Sequence, residues 1–352
     1  MVFDHMNKKL GLILLLILFT QFFIGCYEPE PSDKLSGEYD LYVDDNFTIN
    51  TNGWNIDHFK TIQKALKKAR QNDSIYVYNG HYNETLIINK TISLKGENAY
   101  QTIIDGNSKK NDVILIKGNG RLTICGFSII NSGFVGSYVY DIGGIDIRSS
   151  YNTIKNNIFI NNTCGIYTRY ADDNKIENNL FLNNIEYGTY LHTSSDENYF
   201  SDNIFKNNKY GLRIKGSKEC IIYKNAFINN QNGLYLCCGS RYNVVYENIF
   251  CNNSNWDGLD HFENSWDTSI PPRWYQNNNT KKLDLTDGQM KGNFWGNFYT
   301  PHQGAFDNNS DGIIDKSYDI PNVDDNDNFP LIEPPLLVNN FISNEEIKKC
   351  FV

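Results

Sequence analysis

Five residues with the side-chain types of a hydrolytic site recur at intervals along the chain: Asp172 and Asp173, then His192, then Arg213 and Lys215. Paired carboxylates and an imidazole can protonate a leaving oxygen and activate water, and glycoside cleavage needs such groups on opposite sides of the bond. These five are weak catalytic candidates, because the two Asp fall where a turn is expected and Asp is common in turns for local reasons. Aromatic residues interleave with them. Tyr167, Tyr190 and Tyr235, with Arg169, His192, Arg213 and Lys215, form a candidate ligand-binding stripe. Aromatic faces stack on sugar rings, and cations pair with carboxylates or sulfates on a polymer. The plainer alternative is that Tyr suits strands and that the cations are merely solvated.

Metal chemistry has one good candidate. In Asp307-Asn-Asn-Ser-Asp-Gly-Ile-Ile-Asp315, side-chain oxygens of Asp307, Asn309, Asp311 and Asp315 stand at loop positions 1, 3, 5 and 9. Gly312 takes the sixth position and the Ile313 carbonyl the seventh, a spacing like that of EF-hand calcium loops. Calcium is the expected ion, although Tyr318 stands where a bidentate Glu would close the loop, so Asp319 or the Asp324–Asp327 cluster would have to substitute. Copper finds thin support: the chain has three Met and six scattered His, without a His-x-His or a Met cluster. Cys237 and Cys238 are adjacent, and period-two alternation would point the first out and the second in. Setting Cys26 aside, an odd number of cysteines remains, so at least one is unpaired within a monomer.

Such side chains need a scaffold that repeats them, and the repeat is visible. Five segments carry Asn-x-Phe-x-Asn-Asn, with Phe159, Phe181, Phe205, Phe227 and Phe250 at their centres. Asn157, Asn179, Asn203, Asn225 and Asn248 precede the Phe by two, and Asn162, Asn184, Asn208, Asn230 and Asn253 follow by three. Asn161, Asn183, Asn207, Asn229 and Asn252 fill the position between, and a Gly follows in every copy (Gly165, Gly188, Gly211, Gly233, Gly258). A period of 22 to 24 residues with short β-rich runs suits one coil of a parallel β-helix. Stacked at the strand spacing of about 4.8 Å, the Asn amides would hydrogen-bond up each column and satisfy the bends, while the Phe stack in the core. After each Gly, Ile166, Thr189, Leu212, Leu234 and Leu259 should point inward. Thr168, Leu191, Ile214, Leu236 and His261 should share that side. Composition agrees: 51 Asn beside six Ala disfavours a helical bundle.

On these repeats the chain resembles the right-handed parallel β-helix proteins with pectin-lyase-like repeats, particularly the NosD group, whose namesake is a periplasmic accessory protein of nitrous oxide reductase. The segment Phe59–Arg70, with Phe59, Ile62, Leu66 and Ala69 on one face, looks like that family's capping helix, about residues 59–71. Gly292-Asn-Phe-Trp-Gly-Asn297, Tyr318-Asp-Ile-Pro321 and Asp327-Asn-Phe-Pro-Leu331 resemble its closing segment. The resemblance implies an all-β, single-stranded solenoid over residues 44–291, a closing segment over 292–335 and a tail over 336–352. A role in copper delivery is implied by the resemblance alone. Polygalacturonases share the fold, and Asn152-Thr-Ile154, Asp172-Asp173, His192 and Arg213-Ile-Lys215 follow their motif order. The first motif lacks its carboxylate, however, and His192 lacks flanking glycines.

Lys8 and Lys9 precede an apolar run ending in Phe23-Ile-Gly-Cys26, which reads as a signal peptide over residues 1–25. Its end resembles a lipobox, which implies lipidation of Cys26, with residues 26–43 as a tether. The alternatives are simple cleavage and an uncleaved anchor. A net charge of −9 argues against a nucleic-acid partner. Of the seven Asn-x-Ser/Thr sites, Asn161 and Asn252 look needed for the ladder. The leading expectation is a cell-surface or periplasmic, non-catalytic lipoprotein that binds polysaccharide or acts as an envelope or adhesion element. A polysaccharide hydrolase or lyase is the first alternative, a copper-centre accessory protein the second.

Overall fold

Each repeat folds into three short strands joined by sharp corners, and successive coils pair in parallel, strand over like strand. The computed structural model describes residues 39–133, 142–268, 290–322 and 326–349. The expected signal peptide and Cys26 lie outside them. Three parallel sheets of ten, nine and eight strands wind as a right-handed solenoid, which is the fold the repeats require.

The core is built from columns of identical residues. Phe159, Phe181, Phe205, Phe227 and Phe250 pair in register along the second sheet. Their rings stack at 4.7–4.9 Å with planes 6–7° apart. Trp295 continues the stack at 4.5 Å and Tyr318 ends it at 4.1 Å. Tyr318 thus fills the closing position of the Asp307 loop because it caps the core. The repeat glycine is explained by the same column. A Cβ on Gly188 would sit 2.5 Å from the Gly211 carbonyl oxygen and 2.7 Å from the Phe205 ring.

Two asparagine ladders hold the corners. Nδ2 of Asn157, Asn179, Asn203, Asn225 and Asn248 each donates to Oδ1 of the next, at 2.9–3.2 Å, and the last reaches Asn293. From Asn179 on, each Oδ1 also accepts the backbone N–H of the asparagine below, that of Asn157 accepting the Phe127 N–H, and each Nδ2 also donates to a main-chain carbonyl, as from Asn203 to Ile176. Asn162, Asn184, Asn208 and Asn230 do the same up to Asn253, whose Nδ2 donates to Asp257 at 2.8 Å. Each bond stabilises by about 1 kcal/mol net, and the groups served are buried, where an unmet partner costs more. The first ladder ends on Asp327, whose carboxylate accepts the Asn293 N–H at 2.6 Å and the Trp295 indole N–H at 2.9 Å.

Three sequence expectations need correcting. Asn161 and Asn252 are exposed at corners with φ of 56° and 55°, a left-handed conformation that Asn tolerates. Their column therefore shapes turns and is not part of the buried ladders. In the last coil the register slips by one: Gly258 aligns with Leu234 and Leu259 with Tyr235. The Trp266 ring fills the space beside Gly258, leaving no room for a side chain. Leu259 therefore leaves the inward row and His261 is exposed. Finally Cys238, with φ of 57°, turns outward at a corner, whereas Cys237 is buried.

Both solenoid ends are closed. Helix Ile62–Lys68 buries Ile62, Ala65 and Leu66 on the first coils, and the flanking Phe59 and Ala69 are also buried, as the sequence pattern predicts. The Glu84 carboxylate accepts the Ile62 and Gln63 N–H groups at 2.8 and 2.9 Å, and Lys90 Nζ donates to the Leu66 carbonyl at 2.9 Å. Charges from the neighbouring coil thus satisfy both helix ends. Residues 336–349 pack back across the outside of the second sheet. Leu337, Phe341 and Ile347 cover the apolar column Ile158, Leu180, Ile204, Ala226 and Ile249. Asp202 and Asn178 accept the Val338 and Asn340 N–H groups at 2.9 Å.

Candidate functional site

The third sheet carries the side chains with chemistry. Strands Gly143–Arg148, Cys164–Arg169, Tyr187–His192, Tyr210–Lys215 and Asn232–Cys237 lie side by side. Their registry puts Asp146, Tyr167, Tyr190, Arg213 and Tyr235 in one column. Arg169, His192, Lys215 and Cys237 form a second. Ile166, Leu191, Leu212, Ile214, Leu234 and Leu236 from the same strands enter the core, so both columns point away from it.

Facing outward is not the same as being exposed. Tyr167 and Tyr190 are 2% and 4% exposed, contrary to the open stripe expected from alternation. The reason is lateral packing: Tyr167, Tyr187, Tyr190 and Cys164 form their own cluster outside the core. Tyr187 stacks on Tyr190 at 4.6 Å and on Tyr210 at 5.1 Å. Tyr235 lies 5.7 Å from Trp256 and 5.4 Å from His261. Burial pushes the Tyr187 and Tyr235 hydroxyls up to about 12, so both stay neutral hydrogen-bonding groups.

Arg213 is the centre of this wall. Its guanidinium lies 5.2 Å from the ring centroids of Tyr190 and Tyr235, and Nη1 donates to the Tyr187 hydroxyl at 2.9 Å. Among the described residues no carboxylate forms a salt bridge with Arg213. Its Nε is buried without an acceptor among them. Lys215 Nζ lies 3.5 Å from His192 Nε2, and Arg169 is exposed at the rim. Half-exposed Tyr210 and Trp256 and exposed His261 complete the open part of the face. Sequence reasoning missed Tyr187 and Tyr210, although each stands directly before a repeat glycine. Trp256 and the outward turn of His261 depend on the slip at Gly258.

The acidic candidates divide differently. Asp172 and Asp173 lie past the strand end at a corner. Asp172 Oδ1 accepts the Asp196 N–H and Asp196 Oδ1 accepts the Lys218 N–H, both at 2.8 Å. They serve turn amides coil to coil. The carboxylates at the aromatic wall are others. Asp146, fully buried, pairs with Arg148 at 2.6 Å. Asp112 accepts the Gly143 N–H at 2.8 Å, and burial followed by the Asp146 charge pushes its carboxyl up to about 7.

In the calcium-type loop, Asp307 accepts the Asp311 and Gly312 N–H groups at 3.2 and 3.0 Å, and Asp315 accepts from Asn308 at 2.7 Å. Asn309 Nδ2 donates to Asp311 at 2.9 Å, and Ile313 N–H donates to the same carboxylate. Asp311, Ile313 and Asp315 also line an open cleft of about 360 Å³ with Met290, Asn328 and Phe329. Among the described residues no three His, Cys, Asp or Glu side chains gather as a metal-holding group.

The sequence matches a family described as "Periplasmic copper-binding protein (NosD)" over residues 66–304, well over half of its length. The chain belongs to the NosD family. Solved structures of similar fold include the catalytic domain of a GH87 α-1,3-glucanase in complex with nigerose. It is 16% identical at a TM-score of 0.43, over 70% of this chain and 47% of that one. Pectin methylesterase PemA from Erwinia chrysanthemi is 11% identical at a TM-score of 0.34, over 64% of this chain and 77% of that one. The chain spans about half the length of the glucanase structures it matches. A search of curated proteins returns no match. The copper in the NosD family description finds no fitting donor set in the described part of this member. Its closest thiol pair, Cys237 and Cys238, has the Arg213 guanidinium 3.6 Å from one sulfur, a charge that repels a metal cation.

Proposed function

We propose that this NosD-family solenoid acts outside the cytoplasm, binding an acidic polysaccharide along the outer face of its third sheet without cleaving it. In this reading it serves as an envelope or adhesion element held to the membrane by a lipid on Cys26. The observation that carries the reading is Arg213: a guanidinium set among tyrosine rings, with no carboxylate partner among the described residues. A uronate or sulfate would supply the missing anion, and Tyr210, Tyr235 and Trp256 offer ring faces beside it. The test is a glycan array followed by titration with oligogalacturonate and a neutral oligosaccharide of the same length. The acidic chain should bind in a salt-sensitive manner, and Tyr235→Ala should weaken it by about ten-fold. Equal binding of the neutral chain, or no loss in the variant, overturns the reading. Labelling with a radioactive fatty acid, lost in Cys26→Ser, tests the anchor.

A hydrolase is the second reading, favoured by Asp112. A carboxyl pushed up to about 7 keeps its proton near neutral pH, as a general acid must. Reducing-end release from an acidic glycan, abolished by Asp112→Asn, would replace the binding-only reading. Calcium at Asp307–Asp315 is a separate proposal, resting on the spacing of four side-chain oxygens around Gly312. Millimolar calcium should raise the melting temperature and a chelator should reverse it; no shift rejects the ion.

A further inference from the structure

Cys237 and Cys238 follow each other where the third sheet ends, yet their settings differ. Cys237 is fully buried beside Arg213, with Nη2 3.6 Å from its sulfur, while Cys238 is exposed at the corner. The left-handed backbone of Cys238 brings the two sulfurs to 3.2 Å although alternation alone would send them to opposite sides. Both are free thiols. The family is described as periplasmic, a compartment in which thiols meet disulfide oxidants. We propose that Cys237 and Cys238 are a reversible redox site that closes into a ring by exchange with a small-molecule disulfide.

The electrons balance in two exchanges. The exposed Cys238 thiol gives its proton to water and the thiolate attacks one sulfur of the small disulfide. That S–S bond breaks, the first small thiolate leaves and takes up a proton, and Cys238 carries a mixed disulfide. Cys237 then loses its proton and attacks the Cys238 sulfur, expelling the second small thiol. Two protein thiols are oxidised and one small disulfide is reduced to two thiols. Burial, as the largest cause, pushes the Cys237 thiol up to about 11, so this group waits as a thiol and reacts second. The Arg213 cation stabilises its thiolate as it forms. Neighbouring Cα atoms across a trans peptide are about 3.8 Å apart, below the usual disulfide range of about 4.4–6.8 Å. The ring is therefore strained and easily reopened, the behaviour of a switch rather than a staple.

The experiment treats the full-length chain with oxidised glutathione, alkylates the remaining thiols and maps the peptides by mass. The peptide carrying Cys237 and Cys238 should lose two hydrogens and become about ten-fold less alkylated, with dithiothreitol restoring both thiols. In Cys238→Ser, an exposed substitution, Cys237 should resist glutathione and stay reduced. Alkylation of both cysteines after oxidation, or glutathione remaining on Cys238 without ring closure, overturns the proposal. Neither readout involves a glycan, so the binding reading and this one fail separately.

Discussion

Two aromatic columns run along the same solenoid, one inside and one outside, and they differ in regularity. Inside, rings from Phe159 to Phe250 repeat at 4.7–4.9 Å with planes 6–7° apart. Outside, neighbouring rings sit between 4.6 and 6.2 Å, and their planes range from 21° for Tyr210–Tyr235 to 81° for Tyr190–His192. Between Cys164 and Cys237 the third sheet is as regular in registry as the second, so there the difference comes from the side chains; only at Trp256 and His261 does the slip at Gly258 add to it. The inner column has one task, filling a core of constant width. The outer column mixes hydroxyls, a guanidinium, an imidazole and a thiol, whose different sizes and hydrogen bonds set different ring spacings and angles.

The contrast can be broken from the inside first. Phe205→Ala removes a ring from the middle of the stack and should cost about 3–5 kcal/mol, seen as a lower denaturant midpoint. Asn203→Ala leaves the buried Asn179 N–H and Ile176 carbonyl without their partner and should cost about 1–3 kcal/mol by the same measurement. The pH dependence comes next. Asp327 is fully buried, and burial is the main reason its carboxyl is pushed up to about 7 from an ordinary 3.8. The folded chain therefore holds this proton where the unfolded chain has lost it. Stability from this group rises as pH falls from about 7 toward 4, by about 1.4 kcal/mol per pH unit at most. Melting curves across that range should show the slope, and Asp327→Asn should reduce it, leaving the share that Asp112 contributes. The smallest effect belongs to the outer column: Tyr235→Ala, half-exposed, should change stability by less than about 1 kcal/mol while weakening glycan binding. A large loss of stability there would make the two columns alike and remove the distinction.

Most of the scaffold was legible because it rests on nearest-coil contacts that repeat in the sequence. The Phe and Asn columns and the partners of Tyr167, Tyr190, Arg213 and Tyr235 follow from counting residues. Coverage was not legible. Alternation assigns Tyr190 to the outer side, but its burial depends on Tyr187 and Tyr167 leaning over it. The slip at Gly258 was hidden for the same reason, since Trp266 decides it from outside the repeat. Asp112 was missed because its perturbation arises first from burial and then from Asp146 on a later strand, not from any local motif.

The terminal carboxylate of the asparagine ladder has a consequence beyond stability. Every asparagine amide both gives and receives, so such a column could in principle go on from one molecule into the next. Asp327 in its charged form only receives. Above about pH 7, with Tyr318 lying across the last core ring, Asp327 offers an incoming copy no donor and the ring stack has no open last ring among the described residues. At this pole the ring stack ends on a phenol and both ladders end on acids, the first on Asp327 and the second on Asp257, so neither column is handed on by an asparagine to a further coil.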